Sequence, residues 1–125
     1  MTPAGPDKVL RVEVPRGGLH MAWLRVARRF HGMRRGEMEV AARLLDRRRE
    51  LSAALPPGAE PAVLTVAARR AIKETLGISD SAFKTILTNL RHKGFLDGDR
   101  VNRRFVPEGR GDGHFRLMID FVEHD

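Results

Sequence analysis

The stretch AIKETLGISDSAFKTILTNLRHKGFL, Ala71 to Leu96, carries two apolar repeats of helical period separated by a tight break, and it restricts the fold more than any other part of the chain. Just ahead of it Ala68 begins a repeat that Ile72 and Leu76 continue every four residues, which places the three on one face of a helix ending at Gly77. Glycine is the residue expected just past a helix C-terminus, where the backbone turns left-handed. Phe83, Ile86, Leu87 and Leu90 then fall at i, i+3, i+4 and i+7, with Ser79 as the expected N-cap and Asp80 in the first turn, where the helix dipole favours an acid. A glycine-containing turn of about three residues, with apolar Ile78 to plug the corner, sends the second helix across the first instead of back along it.

With Phe83 set at zero and about 100° added per residue, the apolar set forms a band centred on Phe83, while Ser81, Thr85, Thr88 and His92 point away from it. Lys84 and Asn89 flank that outer face, and no carboxylate follows Asp80 on it. Hydroxyls, an amide, an imidazole and a lysine on one exposed helix face suit base edges and phosphates.

The run from helix through glycine turn to second helix, followed by RHKGFL and an expected hairpin, resembles the winged helix-turn-helix domains of small bacterial and phage DNA-binding proteins. The resemblance covers roughly residues 34 to 122. It implies an α+β, mostly α fold with a C-terminal β-hairpin wing, here with an added N-terminal strand and helix. It also implies a protein that binds double-stranded DNA through the Ser79 to Lys93 helix in the major groove. One departure is Lys73, four residues before the turn glycine, where the motif often has a small alanine; a looser or shifted helix crossing is expected. Winged helices also serve as protein-protein adaptors, so the alternative is an assembly module, such as a phage virion component or an adaptor.

A chain of 125 residues is the size of one domain with one modest core. The expected organisation is an arm and short strand over 1–18, then a single domain over 19–125, with the helix-turn-helix at 65–93 and the wing at 95–122. The net charge of +7 points to a polyanionic partner, nucleic acid before membrane. Arginine outnumbers lysine 19 to 4, and alanine, glycine and proline are frequent, as a GC-rich genome produces without selection for binding. No cysteine is present, so neither disulfides nor thiolate metal sites hold the fold. No apolar run approaches the ~20 residues that span a bilayer, and MTPAGPDKVL has no apolar signal segment. A cytoplasmic, nucleoid-associated protein is expected, or a virion component under the alternative.

Along the chain, Leu10, Val12 and Val14 alternate with Arg11 and Glu13 as in a half-buried strand, expected to pair with the C-terminal strand. Leu19, Trp23, Val26, Ala27 and Phe30 predict a helix with one apolar face and with Arg25, Arg28 and Arg29 opposite; Trp23 is expected as a core anchor. Gly32 and Gly36 mark a break before a helix whose stripe is Met38, Ala41, Ala42, Leu44, Leu45 and Leu51. SAALPPGAEP is a loop, and AVLTV, residues 62–66, reads as a short strand or as the entry to a helix capped by Thr65. Arg69 and Arg70 near the start of that helix oppose its dipole, a conflict that a bound phosphate resolves. Val101 to Val106 and His114 to Val122 read as the wing strands around a glycine-rich tip, with Arg103, Arg104 and Arg110 placed to hold the DNA backbone.

The five histidines lack metal-ligand spacing, and neither a phosphate-cradling GxxxxGK[ST] nor a GxSxG nucleophile elbow occurs. No enzyme, cofactor or metal site is expected. Arg110-Gly111-Asp112 spells a cell-adhesion tripeptide, but glycine and aspartate are ordinary turn residues. The expected partner is duplex DNA, with a homodimer formed through the N-terminal strand or the first helix, or a larger assembly.

Overall fold

A computed structural model describes residues 13–15, 17–109 and 115–116. These residues make a mostly helical α+β structure of five helices and two small antiparallel strand pairs: α1 Leu19–Val26, α2 Arg28–His31, α3 Arg35–Ser52, α4 Val66–Leu76, α5 Asp80–His92, then β1 Leu96–Asp97 with β2 Arg100–Val101, and β3 Glu108–Gly109 with β4 Phe115–Arg116.

Helix α3 is the centre, with α1 and α5 both packed on it. Its stripe falls where the sequence puts it: Met38, Ala41, Ala42, Leu44 and Leu45 are buried, joined by Val40, with Leu51 packed at the margin. The other side of the core comes from Phe83, Leu87 and Leu90 of α5, Ile72 of α4, and Phe95, Leu96 and Val101 of the hairpin. Burying a Phe or Leu side chain of this kind contributes about 1.5–3 kcal/mol, so α5 is fixed by its inner face and needs no help from its outer one.

The corner between α4 and α5 forms as the local residues require. Thr65 caps α4 by accepting from the Ala68 N–H at 3.1 Å, and Ser79 caps α5 by accepting from the Ala82 N–H at 3.2 Å. Gly77 has φ +65°, the Ile78 N–H donates to the Lys73 carbonyl at 3.1 Å, and the Gly77 N–H donates to the Glu74 carbonyl at 3.3 Å. These two bonds close the α4 carbonyls in a Schellman turn. The same pattern recurs at Gly94 (φ +79°), with Phe95 donating to Leu90 and Gly94 to Arg91, and this turn aims the chain from α5 into β1. Lys73 spans the corner: its ammonium reaches Asp80 at 2.7 Å and lies 5.8 Å from the centre of the Phe83 ring. The lysine therefore supplies a strut where an alanine supplies close approach.

The first helix departs from expectation. The chain breaks at Ala27 into α1 and the single turn α2, and the buried residues are His20, Leu24, Ala27 and His31, while Val26 and Phe30 are exposed, Phe30 at 68%. The histidines take core-facing places because each has a partner. His20 Nδ1 lies 2.6 Å from an Asp46 carboxylate oxygen; His31 donates from Nε2 to the Leu24 carbonyl at 2.7 Å and accepts the Met33 N–H on Nδ1 at 2.9 Å. Trp23 packs against the core and donates Nε1–H to the Phe105 carbonyl at 2.8 Å, in keeping with an anchoring role. Gly36 is not part of a break; it lies in the first turn of α3, against Ile86 of α5.

The segment 62–64 makes no regular strand, but the Val63 N–H donates to the Asp99 carbonyl at 2.8 Å and attaches it to the hairpin turn. The continuous strand expected over Val101 to Val106 is absent. After β2 the chain folds into a 3-10 turn, Arg103–Phe105, because the Asn102 side chain accepts the Arg104 N–H at 3.2 Å. Phe105 then meets Phe95 edge to face at 5.4 Å. Of the N-terminal strand only Glu13 to Pro15 are described and they are not strand; the rest, the tip 110–114 and the strand beyond Arg116 lie outside the described residues. No described helix is long and apolar enough to cross a membrane.

Candidate nucleic-acid interface

The outer face of α5 is the candidate surface, and its exposure follows from the burial of Phe83, Leu87 and Leu90 on the opposite side. Ser81, Lys84, Thr85, Thr88 and His92 are all exposed. The two threonine hydroxyls donate back to the helix, Thr85 to the Ser81 carbonyl and Thr88 to the Lys84 carbonyl, each at 3.0 Å. What they present outward is therefore a methyl group and an acceptor oxygen. That pair suits a thymine methyl and the exocyclic amines of adenine or cytosine, and it does not suit phosphate. Ser81 Oγ lies 3.3 Å from Ser79 Oγ. The cationic groups on this face are Lys84 and Arg91, which is exposed seven residues later on the same flank. Arg91 is not among the candidate residues expected from sequence, although two helical turns from Lys84 return to the same flank.

Asn89 differs from the others. Its amide turns inward and donates to Glu37 at 2.9 Å, so it positions α5 instead of facing outward. Glu37 is the node of this contact: 3% exposed, it accepts the Asn89 amide on one oxygen, and on the other the Arg34 N–H at 3.0 Å and the Lys93 ammonium. Burial opposes ionisation of this carboxyl, but the hydrogen bonds from Lys93, Arg34 and Asn89 and the charge on Lys93 outweigh it and hold the group below its ordinary value. Lys93 also donates to the Gly32 carbonyl at 3.0 Å, so both flanks of the α3 N-terminus hold the end of α5. At the other end of α5, hydrogen bonding and then charge from Lys73 lower the Asp80 carboxyl below its usual range.

The arginines divide by partner. Arg69 folds back, donating to the Leu64 carbonyl at 3.3 Å and facing Asp99 at 3.9 Å, which eases the conflict with the α4 dipole without an added anion; Arg70 is exposed. Arg103 is exposed and lies 3.9 Å from Glu60. That carboxylate is held on both oxygens by Arg48, at 3.0 and 2.5 Å, while Arg100 donates to the Glu60 carbonyl at 3.1 Å. Glu60 thereby ties the proline-rich loop to α3 and the hairpin. Arg104 is exposed, with its guanidinium carbon 5.1 Å from the Phe105 ring centre and its end against Gly94, where a Cβ would collide with it. This places Arg104 beside the C-terminal end of α5. Arg110 lies outside the described residues.

No group of His, Asp and Glu among the described residues is arranged to hold a metal ion. Comparison of the chain with protein-family models, curated proteins and solved structures gave no match.

Proposed function

We propose that this chain is a winged helix-turn-helix protein that binds double-stranded DNA in a sequence-specific way and acts as a transcriptional regulator in the cytoplasm. The observation that carries the reading is the outer face of α5. It runs from Ser81 to His92 without a carboxylate, displays Lys84, Thr85, Thr88 and His92 to solvent, and rides on a helix whose other side is locked into the core. The succession of α3, the segment 62–64, α4, α5 and the β1–β2 hairpin supports this reading. Arg104 at the end of α5 and Arg103 beyond the hairpin stand where backbone contacts flank a reading helix. In this arrangement α5 lies in the major groove, with Thr85 and Thr88 reading bases while Lys84 and Arg91 hold phosphates.

Mobility shift on mixed genomic DNA at low salt tests the reading, with the wild type retarded and Lys84→Glu combined with Thr85→Glu released. Because both residues are exposed, the double variant keeps its fold. Equal retardation of the two proteins would remove α5 from the interface, and co-sedimentation with a large particle in fixed stoichiometry after nuclease treatment would favour the assembly module. Charge alone gives non-specific binding, so a regulator also requires one duplex sequence to compete at least ~10³-fold better than bulk DNA.

A further inference from the structure

A second basic surface lies outside α4 and α5, where α1, α2 and the start of α3 meet. Arg25, Val26, Arg28, Arg29, Gly32, Met33 and Arg34 line an open depression there. All four arginines are exposed, and Arg25, Arg28 and Arg29 make no side-chain hydrogen bond or ion pair within the described residues. No acid lines the depression, and the two nearest in sequence are occupied: Glu37 by Lys93, Asn89 and the Arg34 N–H, and Glu39 by Arg35 at 3.3 Å. Arg34 is also the N-cap of the 18-residue α3, where the helix dipole adds positive potential and a cation is the wrong charge unless an anion is present. Like charges held together without a counter-charge repel, and a bound polyanion relieves that repulsion.

We propose that this depression is a second phosphate-binding surface, taking the backbone of the same duplex that α5 reads. The inference rests on the functional reading above and extends the footprint beyond the helix and the wing. Continuity favours the duplex over a separate acidic partner, since the Gly32 carbonyl on the rim is hydrogen-bonded to Lys93, the residue that follows α5. A strand leaving the groove at the C-terminal end of α5 passes onto Arg28 and Arg29. The guanidinium forks match phosphate oxygens, and the Val26 and Met33 surface gives the deoxyribose an apolar floor.

The test measures affinity of the full chain for a mixed-sequence duplex as a function of salt. It compares the wild type, the Arg25→Ala, Arg28→Ala, Arg29→Ala triple variant, the Lys84→Glu, Thr85→Glu variant, and Arg43→Ala as an exposed control away from the depression. Three lost phosphate contacts flatten the slope of log K against log salt by about 2 to 3, whereas Arg43→Ala flattens it by less than about 1. The three arginines are exposed and unpartnered within the described residues, so the triple variant melts with the wild type. A triple-variant slope within ~0.5 of wild type overturns the proposal, as does a loss confined to single-stranded DNA. If the triple variant loses duplex binding while the α5 variant keeps it, the depression stands and the reading of α5 falls. No binding of duplex by the wild type overturns both.

Discussion

Glu37→Gln is the substitution that most sharply tests how α5 is held. The side chains have nearly the same shape, so packing is conserved and the change is one of charge and hydrogen-bond direction. All three partners of Glu37 are donors: the Lys93 ammonium, the Asn89 amide and the Arg34 N–H. A glutamine amide has one oxygen and one NH2 group, so in either orientation a donor faces a donor on one side. With NH2 opposite Asn89 one bond to the carboxylate is lost, and with NH2 opposite Lys93 the other; each ends on a charged group and is worth about 1.5–3 kcal/mol. Lys93 is partly exposed and recovers some hydration, which argues for the lower part of that range. Only one of these orientations is adopted, so the cost is about 1.5–3 kcal/mol, or a drop of roughly 6–12 °C in Tm for a domain of this size. The acid limb changes too. The folded-state carboxyl titrates below its ordinary value of 4.5, so its contribution is complete above that pH and is lost as pH falls through the folded-state value. Chemical denaturation followed by circular dichroism from pH 7 to pH 3 measures both quantities. A variant within ~0.5 kcal/mol of wild type at pH 7, a difference typical of an ordinary surface substitution, or with an acid limb as steep as wild type, refutes the claim that this carboxylate clamps α5.

Gly77→Ala adds a Cβ that meets nothing within 4 Å, so its cost is the left-handed backbone alone, about 1–2 kcal/mol by thermal melting; no loss would mean that the corner is not a left-handed turn. Arg48→Ala removes both bonds to a half-buried Glu60 and should cost about 1–3 kcal/mol, with faster amide exchange at Val63, where the loop meets the hairpin. Lys73→Ala should raise the Asp80 titration midpoint toward the ordinary aspartate value in a carbon-detected NMR titration, because hydrogen bonding and charge from that lysine are what lower it.

The corner of α4 and α5 was legible because everything that makes it is local. The Thr65 and Ser79 caps, the positive φ at Gly77 and the Phe83, Leu87, Leu90 stripe each depend on neighbours within one or two turns. Contacts distant in sequence were not legible. Glu37 reads as a dipole acid in the first turn of α3, and its burial depends on Lys93 and Asn89, more than fifty residues away. For the same reason Asn89 reads as an outward amide until α3 is packed beside it. Across α1 and α2 the apolar count favours Val26 and Phe30, yet His20 and His31 win the inner face because Asp46, Leu24 and Met33 satisfy their ring nitrogens. The strand expected over Val101 to Val106 is replaced by a turn for a local reason, since the Asn102 side chain competes with a strand partner for the Arg104 N–H.

The account depends on which surface of the folded chain meets the duplex. Amide chemical-shift changes on titrating the isotope-labelled protein with duplex DNA report this residue by residue. The largest shifts are expected over Ser81 to His92 and at Arg103 and Arg104, with a second group at Arg25 to Arg34 and little change along the middle of α3. Shifts confined to other surfaces, with the α5 amides unmoved at saturation, would contradict the account.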